Sequence, residues 1–322
     1  MKMRLSLVFV TLAGMALCCF GQTSATHLNP DDYRAVPVAF APAEILRQIT
    51  RLQQQRDESA DNQAATALDQ YVTQVWRALG LPDNWNGRCT CTALMLEDDA
   101  HSRYVTLRVM NGDSDYRFIA FLAPRVSTDS WRLLGYADTQ SKYATPSHRI
   151  YAGPVGTFLI ASQDTGGTGE YDENEVWYEL TPGGARQVLK CPVKGHQSPF
   201  FNQGKADGKS FGLTREWEAT SHPPVDEREP VVRVDLTARY GFYWWDDGKE
   251  SGLFTRKQTA IFRWDSTSRT FRFDAQKSSL TQEEFEAAYG YELNLQQFIR
   301  YNADELRKSP SSVAAALLRQ KR

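Results

Sequence analysis

Two segments of the sequence combine residue types that could bind a ligand. The first, residues 163–175, reads QDTGGTGEYDENE and contains five acidic residues and three glycines. Carboxylate and amide oxygens are the ligands that Ca²⁺ prefers, and glycines let the backbone converge on an ion. The segment therefore suggests a calcium site formed by Asp164, Glu170, Asp172 and Asn174. Its spacing does not match an EF-hand loop, so a solvated acidic loop between two strands is the favoured interpretation.

The second segment is the run FYWWDD at residues 242–247. Aromatic rings offer apolar faces to a sugar ring, and neighbouring carboxylates can accept hydrogen bonds from its hydroxyls. We therefore take Tyr243, Trp244, Asp246 and Asp247 as candidate ligand-binding residues. Neighbouring residues of a strand point to opposite faces, so one of Trp244 and Trp245 is expected to be buried and the other exposed.

The same acids also permit an enzymatic interpretation. Glycoside cleavage uses two carboxylates about 5–10 Å apart across a cleft. An acid of residues 163–175 together with Asp246 or Asp247 would supply such a pair in a carbohydrate-active hydrolase. Other catalytic signatures fail: the chain has no His-Glu-x-x-His and no Gly-x-Ser-x-Gly, and the P-loop-like run at 204–210 is one residue short between its glycines.

The N-terminus predicts export. Lys2 and Arg4 precede an apolar run over 5–17, and small residues at 23–25 offer a signal-peptidase site before Thr26. The run is shorter than the about 20 residues that a membrane span needs. A lipid anchor on Cys18 or Cys19 is less favoured, because the residue directly before each cysteine is wrong for a bacterial lipobox. We expect a periplasmic or secreted protein without a transmembrane span.

Composition limits the remaining classes. The chain has 322 residues, 41% of them hydrophobic, which suits a folded protein with a sizeable core. A formal net charge of −2 argues against a nucleic-acid-binding protein. After export, Cys191 can pair with Cys89 or Cys91 in one disulfide, and three small buried thiols are the equal alternative.

Hydrophobic periodicity predicts helices at both ends of the chain. Apolar residues recur at three- and four-residue steps over 42–58 and 64–79, and Gly80 and Pro82 end the second helix. Near the C-terminus, Thr281 and Glu284 have capping-box spacing, and Ser309-Pro310 is expected to begin a last helix.

Between these helices the period changes to two. Alternation over 104–109, Asn111-Gly112 and the run 117–121 predict a hairpin, and the run 231–240 alternates most regularly. About ten strands with short polar loops indicate antiparallel sheets rather than βαβ units. The prediction is an α+β fold: an antiparallel β body, either a sandwich or an open barrel-like sheet, with an N-terminal helical hairpin and C-terminal helices.

The predicted organisation is a signal peptide at 1–25, a helical segment at 26–85, a β body at 86–275 and a helical segment at 276–322. The favoured function is a non-enzymatic exported module that binds an envelope or extracellular component, either a glycan or a protein. The carbohydrate-active hydrolase is the alternative.

Overall fold

The fold is α+β and contains two antiparallel sheets, as the periodicity predicts. A computed structural model of the chain describes residues 30–58, 62–83, 93–99, 104–112, 114–123, 131–167, 169–182, 184–200, 202–226, 228–289 and 294–320. The predicted signal peptide at 1–25 and the cysteines at 18, 19, 89 and 91 lie outside the described residues.

The predicted N-terminal hairpin consists of α1 (Pro42–Glu58) and α2 (Asn62–Leu79), preceded by short 3₁₀ helices at Pro30–Asp32 and Val38–Phe40. Ile45 and Ile49 of α1 are fully buried, as are Leu68 and Trp76 of α2. These side chains form one hydrophobic cluster with the small sheet, so the hairpin is held by its apolar stripe. Gly80 follows α2 with φ +66°, the left-handed conformation expected after a helix end.

The small sheet has the strand order β1-β5-β4-β3-β2. Its strands are β1 (Arg34–Ala35), β2 (Ala93–Asp99), β3 (Tyr104–Asn111), β4 (Asp115–Leu122) and β5 (Arg132–Gln140). The predicted β3–β4 hairpin is confirmed, with Asn111 paired to Asp115 and Gly112 at φ +62°. Alternation along β4 gives each face a partner: Ile119 and Phe121 pack on the helices, while Phe118 and Ala120 pack on the large sheet.

The large sheet follows the order β14-β13-β12-β11-β9-β8-β7-β6, with β10 on β11. Its strands are β6 (His148–Gly153), β7 (Gly156–Gly167), β8 (Glu170–Thr181), β9 (Gly184–Gln197), β10 (Gln203–Ala206), β11 (Lys209–His222), β12 (Val231–Trp244), β13 (Lys249–Asp265) and β14 (Thr270–Phe273). Strands β9 and β11 pair only between 194–197 and 215–218, and the β8–β9 ladder shifts register at Glu173/Asn174.

The hydrophobic core of the large sheet contains side chains from strands near both of its edges. One hydrophobic cluster contains Trp177 and Phe158 from β7–β8, Val232 and Val234 from β12, and Phe271 from β14. In β12 the even-numbered residues from 232 to 242 are buried, as the alternation of 231–240 predicts. The same cluster includes apolar residues of the C-terminal helices, so those helices cover this side of the sheet.

The C-terminal helices are α3 (Gln282–Tyr289), α4 (Leu295–Tyr301), α5 (Ala303–Lys308) and α6 (Ser312–Arg319). The capping box of α3 is confirmed, because the Glu284 amide donates to Thr281 Oγ1 and the Thr281 amide donates to Glu284 Oε2. The predicted start of α6 at Ser309-Pro310 is wrong by two residues, since Ser311 is its N-cap. We call the face of β11–β13 beneath these helices the inner face and the opposite one the outer face.

His148, at the start of β6, is expected to make stability depend on pH. Its ring packs on that of Phe118 with centroids 4.6 Å apart and an interplanar angle of 39°, and burial, together with the charge of Arg108, lowers its pKa from 6.5 to about 4. The unfolded chain therefore binds the proton more tightly, so His148 leaves stability intact above pH 6.5 and removes it as the pH falls towards 4. We expect a loss on the order of 2 kcal/mol over that window.

Urea unfolding at several pH values checks this prediction. His148→Gln should flatten the profile between pH 6.5 and 4. An unchanged slope in His148→Gln would contradict the assignment.

Candidate functional site

The aromatic segment 242–247 ends β12 and splits its two tryptophans between the two faces. Trp244 packs inward on Phe211 and Phe242, with ring centroids 6.2 and 5.3 Å away. Trp245 instead contacts Tyr243 at 5.1 Å and Phe200 at 5.2 Å. Both tryptophans are half-buried, so the prediction that one is buried and the other exposed is wrong, although the two rings do pack on opposite faces.

We call Phe200, Tyr243 and Trp245 the aromatic corner. Phe200 is 59% exposed, so the corner presents an apolar surface to solvent. Of the residues expected from the sequence, Tyr243 belongs to it, whereas Trp244 is attached to the core. Phe200 and Trp245 were not among the expected ligand-binding residues.

Asp246 and Asp247 brace the turn that carries the corner. Asp246 accepts a hydrogen bond from the Ser210 amide at 3.0 Å, which ties the β12–β13 turn to β11. Asp247 accepts from the Lys249 amide at 3.3 Å and forms an ion pair with Lys209 at 3.6 Å. These contacts give both carboxylates a positioning role beside the corner.

A hollow of about 440 Å³ opens on the outer face next to the corner. Its walls carry the polar side chains of Thr214, Glu216, Arg239 and Glu250. Glu250 lies opposite Tyr243 in the β12–β13 ladder, and it accepts a hydrogen bond from Thr214 Oγ1 at 3.2 Å. The hollow therefore borders the aromatic corner directly.

Glycine keeps this hollow open. Gly241 lies opposite Thr214, and a Cβ at Gly241 would come within 2.8 Å of Thr214 Oγ1 and 2.9 Å of the Ser251 carbonyl oxygen. The β12–β13 ladder also shifts register between Tyr240 and Gly241. Because Gly241 has no side chain at this irregularity, a depression is left among the side chains of the outer face.

A second aromatic group borders the hollow on the other side, and we call it the aromatic shelf. Tyr171 stacks on His196 at 5.9 Å with an interplanar angle of 19°, and Tyr143 meets Tyr171 edge-on at 5.9 Å. The strand ladders place Tyr171, His196, Glu216 and Arg239 in one row across the outer face. The shelf, the hollow and the corner thus form a continuous surface, which we call the outer groove.

A wider hollow of about 670 Å³ extends the surface along the same strands. Lys194, Glu218, Asp235 and Lys257 are among its lining residues, so charged groups lie beside apolar surface in its walls. Arg239 of the first hollow donates to Glu218 of the second at 2.8 Å, which links the two. Together they provide many hydrogen-bonding groups beside two sets of aromatic rings.

Residues 163–175 do not form the long loop expected from the sequence. They lie in β7 and β8, whose strands continue to Gly167 and from Glu170. The prediction of a solvated loop is wrong, because Asp164, Glu170, Asp172 and Asn174 are each at most 7% exposed. Alternation along two paired strands explains how so many polar residues are placed within a hairpin.

The structure separates the four expected calcium ligands. Asp164 lies opposite Glu173 in the β7–β8 ladder, so it shares the outer face with Glu173. Glu170, Asp172 and Asn174 alternate with that residue along β8 and lie together on the inner face. Within the part of the chain that the structure describes, no group of three or more Asp, Glu, His or Cys side chains suits a metal ion.

Asp164 instead holds the loop that presents Tyr143. Its carboxylate accepts hydrogen bonds from the amides of Lys142, Tyr143 and Ala144 at 2.6, 3.0 and 3.2 Å, and from Ser141 Oγ. Charge-assisted hydrogen bonds of this kind are strong and directional. Asp164 therefore positions the exposed edge of the aromatic shelf.

Electrostatics distinguish the two faces of β8. On the outer face, burial and the hydrogen bond that Tyr171 donates to Glu173 raise the pKa of the Tyr171 hydroxyl. On the inner face, burial raises the pKa of Asp172, while the hydrogen bond from Asn174 and the charges of Lys190 and Arg215 oppose this shift. The shelf tyrosine therefore stays neutral and can donate or accept hydrogen bonds at physiological pH.

Cys191 of β9 is fully buried, and burial raises the pKa of its thiol, which makes it a poor nucleophile. Its predicted disulfide partners lie outside the described residues, so the pairing stays a prediction.

The chain was compared with known protein families, curated proteins and solved structures. Searches against family models, curated proteins and solved structures found no match to the chain. Among the helices formed by the described residues, none combines the length and apolar character needed to cross a bilayer.

Proposed function

We propose that this chain is an exported, non-enzymatic module that binds a glycan along the outer face of its large sheet. The observation that carries the proposal is the arrangement of two aromatic groups around one polar hollow. The aromatic corner lies on one side, the aromatic shelf lies on the other, and Glu216 and Arg239 lie between them.

This arrangement suits the chemistry of a sugar chain. A sugar ring has apolar faces, which pack on aromatic rings, and an edge of hydroxyl groups, which donate and accept hydrogen bonds. Binding sites for organic ligands combine aromatic walls with a few placed polar groups. In this chain the rings are supplied by both aromatic groups, and the polar edge is matched by Thr214, Glu216 and Arg239.

The separation of the two aromatic groups favours an oligosaccharide over a single sugar. Tyr171 and Tyr243 lie three strands apart, on β8 and β12, and their rows are four residues apart along β12. At strand spacings of about 4.8 Å and rises of about 3.3 Å per residue, they are roughly 20 Å apart. Several linked sugar units are needed to span that distance.

The acids proposed for a hydrolase do not support that alternative. Glu170 and Asp172 lie on the inner face, whereas Asp246 and Asp247 are engaged in hydrogen bonds at the β12–β13 turn. The carboxylate pair that this mechanism needs is therefore not assembled from these residues. No observation at the groove favours turnover over binding.

Substitution of Trp245 tests the proposed function. Affinity for soluble oligosaccharides, from disaccharides to hexasaccharides, is measured by calorimetry on the exported protein. We expect Trp245→Ala and Tyr171→Ala each to weaken the best ligand by at least about tenfold, since central aromatic residues dominate such contacts. Val225→Ala is the control, because Val225 is 78% exposed but does not line the groove.

Failure of every oligosaccharide to bind the folded parent protein would overturn the glycan proposal. Equal loss of affinity in Val225→Ala would likewise remove the assignment of the groove. A protein partner whose binding is lost in Trp245→Ala would show that the surface serves protein recognition instead.

A further inference from the structure

A row of buried polar residues crosses the inner face beneath the C-terminal helices. The ladders place Glu170 opposite Gln197, and Gln197 opposite Arg215, while Asp172 lies two residues along β8 on the same face. Exposed fractions are 6% for Glu170, 7% for Asp172, 4% for Gln197 and 0% for Arg215. The groups are therefore concentrated where the sheet meets the helices.

Three oxygens of this row have no hydrogen-bond partner among the described residues: Glu170 Oε1, Asp172 Oδ1 and Gln197 Oε1. Asp172 uses only its other oxygen, which accepts from Asn174 Nδ2 at 2.7 Å. A buried acceptor without a partner is costly, and native proteins rarely leave several together. Three such oxygens on one patch of one face indicate a shared ligand.

Two cations act on this row. Arg215 lies next to the carboxylates, and its Nη1 donates to the carbonyl oxygens of Ala287 and Ala288 at 3.3 and 2.7 Å. Those carbonyls form the end of α3, where the helix dipole is negative. Because the charge of Lys190 also acts on Asp172, the unpartnered oxygens, and not a net negative charge, indicate the ligand.

We propose that Glu170, Asp172 and Gln197 bind a hard cation between the large sheet and the C-terminal helices. Carboxylate and amide oxygens are the donors such ions take, and Ca²⁺ accepts them in irregular geometry with water completing the shell. Na⁺ and K⁺ share this preference for oxygen donors. The site lies on the inner face and is therefore distinct from the outer groove. Asp164, on the outer face, takes no part in it.

The test measures cation-dependent unfolding of the full exported chain after dialysis against a chelator. Ca²⁺, Mg²⁺, Na⁺ and K⁺ are added separately at constant ionic strength, and binding is followed by calorimetry. At a hundredfold excess over Kd, the binding cation should raise the Tm by about 4 °C. Glu170→Gln and Asp172→Asn should abolish this rise.

Glu173→Gln is the matched control, because Glu173 directly follows Asp172 on β8 but points outward and pairs with Lys194 at 3.2 Å. It should keep the full response. Without added cation, Asp172→Asn should unfold at or above the parent temperature, since it removes a charge whose burial is unfavourable. That result shows that the variant is folded when it fails to respond.

Absence of a Tm rise and of binding heat with all four cations would overturn the proposal, and the unpartnered oxygens would then be satisfied by protons and water. An undiminished response in Asp172→Asn, or an equal loss of response in Glu173→Gln, would also contradict it.

Discussion

Arg117→Met is expected to lower the free energy of unfolding by about 3 kcal/mol, because one side chain joins three elements. Arg117 is fully buried on β4, and its guanidinium forms a bidentate pair with Asp138 of β5 at 2.6 and 2.8 Å. Its Nη1 also donates to the Pro82 carbonyl after α2 at 2.9 Å. The substitution removes all of these contacts at once.

The guanidinium is also enclosed by aromatic rings. Its Cζ lies 4.8 Å from the ring centroid of Trp76 in α2 and 5.0 Å from that of Tyr136 in β5. Cation–π contacts of this kind stabilise a guanidinium that is buried away from water, in addition to its ion pair with Asp138. Arg117→Lys should restore only part of the loss, because an ammonium cannot reproduce the planar bidentate geometry.

Urea unfolding followed by circular dichroism and tryptophan fluorescence measures this effect. The control is Arg149→Met, which breaks the Arg149–Glu175 pair at 2.6 Å where Arg149 is 45% exposed, and it should cost less than about 1 kcal/mol. Similar losses in the two variants would contradict the expected contribution of the buried Arg117 contacts.

Trp177→Ala is expected to cost about 3–5 kcal/mol. Trp177 is fully buried in β8, and its ring lies 5.8 Å from Phe158 of β7 and 6.0 Å from Phe271 of β14. These contacts close the two ends of the large sheet on each other. Truncation to alanine therefore leaves a cavity at the point where the meander is held together.

Trp177→Phe provides the matched comparison. The indole Nε1 of Trp177 has no hydrogen-bond partner among the described residues, so phenylalanine loses volume but no bond. We expect a cost below about 2 kcal/mol. The double variant Trp177→Ala with Phe271→Ala should lose less than the two single losses combined, because the rings share one cavity. Strict additivity, measured by denaturant unfolding, would contradict this packing.

Local patterns in the sequence predict the elements of this fold well. The alternation over 231–240 identifies β12 and its buried side, and Asn111-Gly112 identifies the β3–β4 turn. Such signals depend on neighbours along the chain, so they need no knowledge of the partner strands. The start of α6 is misjudged because Ser309 and Ser311 are both plausible caps, and only packing chooses between them.

The candidate site depends on pairing, and for that reason the sequence indicates only parts of it. Tyr171, His196, Glu216 and Arg239 belong to four strands, and only the register places them in one row. Alternation alone would place Asp164 and Asp172 on the same face, because an even number of residues separates them. The ladder instead pairs Asp164 with Glu173, which puts the two acids on opposite faces, and this register is set by the pairing of the strands.

The choice between Trp244 and Trp245 is decided in the same way. Period two separates the two rings but does not say which face is covered. The C-terminal helices and Phe211 determine that Trp244 joins the core, while Phe200 meets Trp245 on the other side. Residues far apart in the chain thus decide which tryptophan is available to a ligand.

The most direct test of glycan binding is to observe the tryptophan side chains during titration. Nuclear magnetic resonance of the indole N–H groups, with the best-binding oligosaccharide added stepwise, reports which rings contact it. We predict that the Trp245 signal shifts in a saturable way, while the signals of Trp177 and Trp217, which lie in the inner core, stay in place. Binding heat accompanied by an unmoved Trp245 signal, or by shifts confined to the core tryptophans, would contradict a glycan site on the outer face.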